Sequence, residues 1–346
     1  MARRLISATL LVALVAVVPL LAAAKIQAAR PASTPRALRT IALGMGYIPN
    51  VQFAPFYVAD QRGYYRQAGL RVDFAYGASP NQLELVGTGR VTFAIADGTD
   101  VIAASAQGVP VTSVMTMYQR LPVAVFALAG KKIRRVADLR GKTIGVAGRY
   151  GSSYAALLAA LRLAGLRPDR DVTIKSIGFN QAVSVQSGKV DAAVDYSNNG
   201  PVILARHGVK IDTIQIGTIT NLVGPGVIAG RALIAQDPSL IRAFVQATLR
   251  GLATTIKDPR AAFAIARTAK GLPPLRGSDV ADQYAVLQST IPFWHDAVTR
   301  VHGLGYADPA QWSESARTLQ EIGQIAHAPA TTSLIANSFS AGAAKL

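Results

Sequence analysis

The sequence predicts an α/β protein of two lobes with a helical C-terminal part. Three observations carry that reading. Short apolar strand candidates alternate with helical segments from residue 41 to about 117. The alternation pauses, then restarts near Val136 and runs to about Ile216. After Val223-Gly224-Pro225-Gly226 only helical periodicity remains.

The elements follow in order. Residues 41–46 form a short apolar strand candidate. Phe53, Phe56, Tyr57 and Tyr64 fall at helical spacing, so 53–66 reads as one helix, closed by Gly69. Residues 71–76 alternate apolar with polar and read as a strand. Residues 81–87 are a short helix and 91–96 a strand, after which Asp97-Gly98-Thr99-Asp100 caps a helix over 101–107. Residues 109–117 are again strand-like. Such alternation predicts a parallel-type sheet. In the second series the strands are 143–147, 172–177, 191–196 and 211–216, with helices over 154–164, 182–187 and 201–207 between them. The closing helices, 238–257, 259–269, 279–287 and 311–325, start mostly at Pro or Asp. They need a surface to pack on, and the first lobe is the natural one. The chain then crosses between lobes twice, near 121–128 and 218–229, which makes a hinge. The expected organisation is lobe 1 over 40–123 with 225–330, lobe 2 over 124–224, and a C-terminal tail over 331–346.

The start of the chain reads as an export signal. Arg3-Arg4 precede an uncharged apolar run to Ala24, and Ala22-Ala23-Ala24 offers small residues for cleavage. An uncleaved anchor is the alternative, since about 20 apolar residues can span a bilayer. Residues 1–24 are therefore assigned as a signal peptide and 25–39 as a flexible leader. Both alternatives place the rest of the chain outside the cytoplasm, periplasmic or otherwise extracytoplasmic.

Composition removes whole classes of chemistry. The 346 residues contain no cysteine, which excludes disulfides, thiolate zinc sites, cysteine nucleophiles and lipidation at an N-terminal cysteine. The formal charge of +17 invites a nucleic-acid partner, but the basic residues are scattered, and no zinc-finger or RNP-like pattern is present. There are only four histidines, no G-x-S-x-G, no Walker loop and no H-E-x-x-H. No cofactor or metal is expected, and the chain reads as a binder, not an enzyme.

In open α/β sheets ligands sit beyond the carboxyl ends of strands. Five such turns here carry aromatic and polar side chains: 47–53, 97–100, 150–154, 178–181 and 195–199. They supply the candidate ligand contacts Asn50, Phe53, Asp97, Tyr150, Ser152, Ser153, Phe179, Tyr196, Asn198 and Asn199. Tyr118, just after a strand, joins them. Each has a structural reading beside the functional one. Asp100 and Asn180 suit helix caps, and Tyr154, Phe53 and Phe56 suit a core. Flat rings beside amides and hydroxyls fit a planar, hydrogen-bonding ligand.

The segment Leu43-Gly44-Met45-Gly46-Tyr47-Ile48-Pro49-Asn50-Val51-Gln52-Phe53-Ala54-Pro55-Phe56-Tyr57 resembles the opening of bacterial binding proteins related to the thiamine-pyrimidine synthases. Ala106-Gln107-Gly108-Val109-Pro110, Ala137-Asp138-Leu139-Arg140-Gly141-Lys142 and Ser176-Ile177-Gly178-Phe179-Asn180-Gln181 fit the same family. The resemblance spans about residues 40–325. It implies a type II periplasmic-binding fold and a substrate-binding component of an ABC importer. Such a component closes its lobes on a riboflavin-like or thiamine-pyrimidine-precursor ligand and delivers it to a permease with its ATPase. Sulfonate, taurine or nitrate binding is the alternative, and a pyrimidine-synthase-like enzyme a further one. Where the family resemblance implies Tyr-x-Asn-Asn-Glu-Pro, this chain has Tyr196-Ser197-Asn198-Asn199-Gly200-Pro201, without the Glu.

Overall fold

The computed structural model describes residues 37–77 and 79–342. The expected signal peptide, and the leader up to residue 36, lie outside them. One sheet is built from β1 (Arg39–Gly44), β2 (Leu70–Ala75), β3 (Phe93–Ala96) and β4 (Val111–Thr116). The second takes β5 (Val123–Leu128), β6 (Thr143–Val146), β7 (Thr173–Ser176), β8 (Ala192–Tyr196) and β9 (Ile211–Ile214). The chain then returns to the first sheet as β10 (Gly226–Gly230). The strand orders are β2-β1-β3-β10-β4 and β7-β6-β8-β5-β9.

Both sheets are mixed, which corrects the expectation of parallel ones. β1 runs parallel to β2 and β3, and β6 parallel to β7 and β8. The exceptions are the strands that arrive from the other lobe. β10 is antiparallel to β3 and β4, and β5 is antiparallel to β8 and β9. A chain crossing from one lobe enters the other sheet at the edge where its parallel strands end, so it must run against them. The sequence reading placed these two stretches in the crossovers. Val123–Leu128 and Gly226–Gly230 are apolar throughout and almost wholly buried. No alternation therefore announces them as strands.

The helix expected over 53–66 forms in pieces: a 3-10 turn at Val51–Phe53, a helix at Ala54–Gln61 and a short turn at Tyr64–Gln67. Gly63, at φ 73°, interrupts the hydrogen-bond ladder between the last two. The long helix Pro238–Lys257 starts on Pro and on Asp237, whose side chain accepts the Leu240 N–H. Its apolar face covers the first sheet, where Phe244 stacks between Tyr65 and Phe93 with centroids at 5.4 and 4.3 Å. The helix Pro309–Glu321 departs from the expected packing on the first lobe alone. Its Trp312, Ala316 and Leu319 join a core that continues into the second lobe. Ser315 Oγ accepts the Val223 N–H, and Glu321 pairs with Arg162 at 3.0 Å. This helix braces the crossover side of the molecule. Beyond it the chain end turns back onto the first lobe, where Phe339 is buried and its carbonyl accepts from Gln246.

Among the described residues, no helix is long and apolar enough to cross a membrane.

Candidate functional site between the lobes

A cavity of about 130 Å³ lies where the two sheets face each other. Its walls come from the turns after β1, β3, β4, β6, β7 and β8, the carboxyl ends at which α/β sheets bind ligands. At one probe-sized void of about 10–15 Å³ per water, it holds on the order of ten waters.

Eight of the eleven candidate residues line it: Phe53, Asp97, Tyr118, Tyr150, Ser153, Phe179, Tyr196 and Asn199. Three do not. Asn50 turns back on its own backbone, its Oδ1 accepting the Gln52 N–H at 2.9 Å. It caps the 3-10 turn that follows. Ser152 is fully buried beneath the cleft, its Oγ 3.2 Å from Thr99 Oγ1. Asn198 is buried outside the lining and donates to Thr290 Oγ1 at 2.6 Å, which ties the second lobe to the first. Sequence reasoning passed over Tyr47, Gln52, Gln181 and Asp195, which also line the cavity. All four stand within turns the sequence singled out. Which turn residues point inward depends on local caps, and these were not legible.

The aromatic groups are held edge to face. Tyr47 meets Phe179 across the lobes with centroids 4.5 Å apart at 78°. Tyr118 meets Tyr196 at 5.8 Å and 64°. The Tyr118 hydroxyl donates to Gln52 Oε1 at 2.9 Å, and Asn199 Nδ2 donates to the Tyr47 hydroxyl at 3.5 Å. Burial pushes the Tyr47, Tyr118 and Tyr196 hydroxyls well above the ordinary phenol range, so all three stay neutral donors.

Carboxylates supply the remaining polarity. Asp97 begins the helix Gly98–Ala106 in the first lobe but does not cap it. Its Oδ2 accepts the Ser152 N–H at 2.7 Å and its Oδ1 the Tyr196 hydroxyl at 3.3 Å, both from the second lobe. Asp100 Oδ1 accepts the Gly151 N–H at 2.8 Å. The sequence reading of Asp100 as a local cap is thereby corrected: it caps the helix Gly151–Leu163 across the cleft. Desolvation raises both carboxyls, that of Asp100 to about 7, where the neighbouring Asp97 charge adds to it. Asp195 accepts the N–H groups of Tyr196 and Gly200 at 2.7 and 3.1 Å, and burial still pushes it up to about 6. A side chain on Gly200 would place Cβ 2.6 Å from Asp195 Oδ2. The carboxylate at this corner is thus Asp195, and a Glu at position 200 has no room beside it. Among the described residues, no Lys, Arg or His lines the cavity. Among the described residues, no group of three His, Asp or Glu side chains is placed to hold a metal ion.

The family model described as NMT1/THI5 like matches residues 50–262. The chain belongs to the NMT1/THI5-like family. The riboflavin-binding protein RibY of Chloroflexus aurantiacus is 41% identical over 307 residues, covering 88% of this chain and 86% of that one. The 4-amino-5-hydroxymethyl-2-methylpyrimidine phosphate synthase of Legionella pneumophila is 27% identical, covering 75% and 82%. Among solved structures, the periplasmic aliphatic sulphonate binding protein SsuA of Escherichia coli superposes with a TM-score of 0.65 at 18% identity, over 88% of this chain and 93% of that one. This last likeness concerns the fold: the two mixed sheets are those of a periplasmic binding protein.

Gly151 is a point of close approach between the lobes. It sits at φ 75°, and a Cβ there would lie 2.6 Å from Asp97 Oδ2. The left-handed backbone costs Ala about 1–2 kcal/mol wherever the lobes stand. The clash with Asp97 arises only when they are together. Gly151→Ala is expected to weaken ligand binding roughly tenfold and to lower the melting temperature of the ligand-free protein slightly. Unchanged affinity in a titration of the variant would show that the lobes do not need this contact to hold ligand.

Proposed function

We propose that this protein is the extracytoplasmic binding component of an ABC importer that captures a neutral heteroaromatic, riboflavin or a close chemical relative, by closing two lobes on it. The observation that carries the reading is the cavity lining. Tyr and Phe faces alternate with amides and carboxylates, and among the described residues no cation lines the cavity to pair with an anion. The 41% identity to a riboflavin-binding protein supports the flavin over other planar ligands. A sulfonate or nitrate would enter a cleft that offers it two carboxylates and, among the described residues, no positive side chain. The synthase relatives raise an enzymatic alternative, but none of the four histidines lines the cleft and the chain has no cysteine. His207 is engaged with Asp282 at 2.5 Å, and His302 stacks on Tyr306 at 4.2 Å.

Closure follows from where the contacts lie. Phe53 and Tyr118 belong to the first lobe and meet ligand in the open state, whereas Tyr150, Phe179 and Tyr196 reach it as the second lobe swings in. A ligand shifts that equilibrium only by its differential affinity for the closed form. The closed form then docks on the permease. Titration of the full chain with riboflavin is expected to quench flavin fluorescence and to stabilise the protein by about 3 kcal/mol at a hundredfold excess over Kd. Taurine and nitrate are expected to have no effect. Stabilisation by taurine without a response to riboflavin or aminopyrimidines would refute the reading.

A further inference from the structure

We infer that Asp97 and Asp100, by capping the second lobe's helix from the first lobe, act as a charge filter that admits a neutral ligand and refuses its phosphate ester. The inference rests on the flavin reading for its main probe and on the geometry of the lobes for its substance. The N-terminus of the helix Gly151–Leu163 stands in the cleft wall, where free N–H groups and a helix dipole would welcome an anion. Two of those N–H groups are already taken, Gly151 by Asp100 and Ser152 by Asp97, at 2.8 and 2.7 Å. The chain makes room for this: residue 151 is Gly, and a Cβ there would strike the Asp97 carboxylate. Both caps come from the opposite lobe, so the arrangement exists only with the lobes together. An anionic group entering the closed cleft meets the Asp97 carboxylate in its wall, with that of Asp100 directly behind it, where the fold would otherwise supply donors.

The charge around the pair is one-sided. Asp195 lines the same cavity, and the facing hydroxyls of Tyr47, Tyr150 and Tyr196 are neutral. Arg149 lines a chamber behind Tyr150, but both its terminal nitrogens bond Asp169, at 2.7 and 2.8 Å. Asp100 borders that chamber, and its Oδ2 is buried with no hydrogen-bond partner within 3.5 Å among the described residues. A chain with formal charge +17 thus presents a cleft that, among the described residues, holds no cation. General attraction of anions to the protein surface and exclusion from the site are separate properties.

The test compares riboflavin with riboflavin 5′-phosphate on the full chain, by fluorescence titration at fixed ionic strength and at pH 8, above the Asp100 value of about 7. The wild-type protein is expected to bind the phosphate ester at least roughly a hundredfold more weakly, the scale set by a dianion near two partly desolvated carboxylates. Asp97→Asn with Asp100→Asn keeps an acceptor oxygen at each N–H and removes the charge. Its two affinities are expected to fall within about tenfold of each other. Any effect of the substitutions on closure itself acts on both ligands and cancels in the ratio. Equal wild-type affinities, or a ratio that the double variant leaves unmoved, would overturn the filter. If the wild type binds neither flavin, the functional reading fails, and inorganic phosphate and taurine decide the filter through melting curves. Stabilisation of the double variant but not of the wild type upholds it. Stabilisation of the wild type, or of neither protein, overturns it.

Discussion

Replacing Tyr196 by Ala is expected to raise the dissociation rate of bound riboflavin roughly a hundredfold while slowing association less than about tenfold. Tyr196 ends β8 in the second lobe, and its ring faces the cavity beside Tyr118. Loss of a stacked ring costs about 1–3 kcal/mol. Loss of the hydroxyl that donates to Asp97 removes a cross-lobe bond to a group that carries charge when ionised, worth about 1.5–3 kcal/mol. A combined loss on the order of 3 kcal/mol gives the hundredfold figure. The effect falls on dissociation because the second lobe engages the ligand only on closure. Tyr196→Phe separates the two parts: it keeps the ring, so the rate should rise only about tenfold. Tyr196 also packs against both lobe cores, so the Ala variant should melt somewhat lower without ligand. Stopped-flow traces beside ligand-free melting curves decide the matter. A large drop in melting temperature with unchanged dissociation would make Tyr196 a core residue and nothing more.

The parallel strands and the long C-terminal helices were legible because their periodicity is local. Pro238–Lys257 could be bounded from Asp237-Pro238 and the apolar stripe behind it. β5 and β10 were not legible as strands, since a segment buried on both faces has no alternation and its direction depends on the lobe it came from. The site divides the same way. The turns after the strands could be found, because topology puts them at one edge. Their inward-facing members could not all be told apart, because a short polar side chain has two uses there. Asn50 satisfies its own backbone, whereas Asp100, equally placed to cap its own helix, bonds a helix of the other lobe. The second outcome requires residues 51 positions apart in sequence to meet, which no local signal encodes.

The cleft carboxylates give the protein a pH dependence of unusual sign. For a carboxyl whose pKa is raised by folding, the native state holds the proton more tightly than the unfolded chain does. Stability is then greatest when the group is protonated and falls as pH rises from the unfolded value near 4 through the folded one. Asp100 at about 7, Asp195 at about 6 and the raised Asp97 all act in this direction. The carboxyls held low act elsewhere. Asp237, bonded by Ser239 and Arg39, is held at about 2, and Asp169, bonded by Arg149, is also lowered; both lose their contribution below about pH 4. Between pH 4 and 8 the cleft dominates. Asp100→Asn is therefore expected to raise the melting temperature of the ligand-free protein by several degrees at pH 8 and by little at pH 4. At about 1.4 kcal/mol per pKa unit the ceiling is near 4 kcal/mol, and sharing of charge with Asp97 brings the expected gain to about 2 kcal/mol. Comparing variant with wild type at each pH matters because a chain of net charge +17 repels itself more strongly as its other carboxylates protonate. That repulsion is common to both proteins and drops out of the difference. A difference that stays constant from pH 4 to pH 8 would mean that Asp100 is solvated in the ligand-free protein and that the lobes rest apart until ligand brings them together.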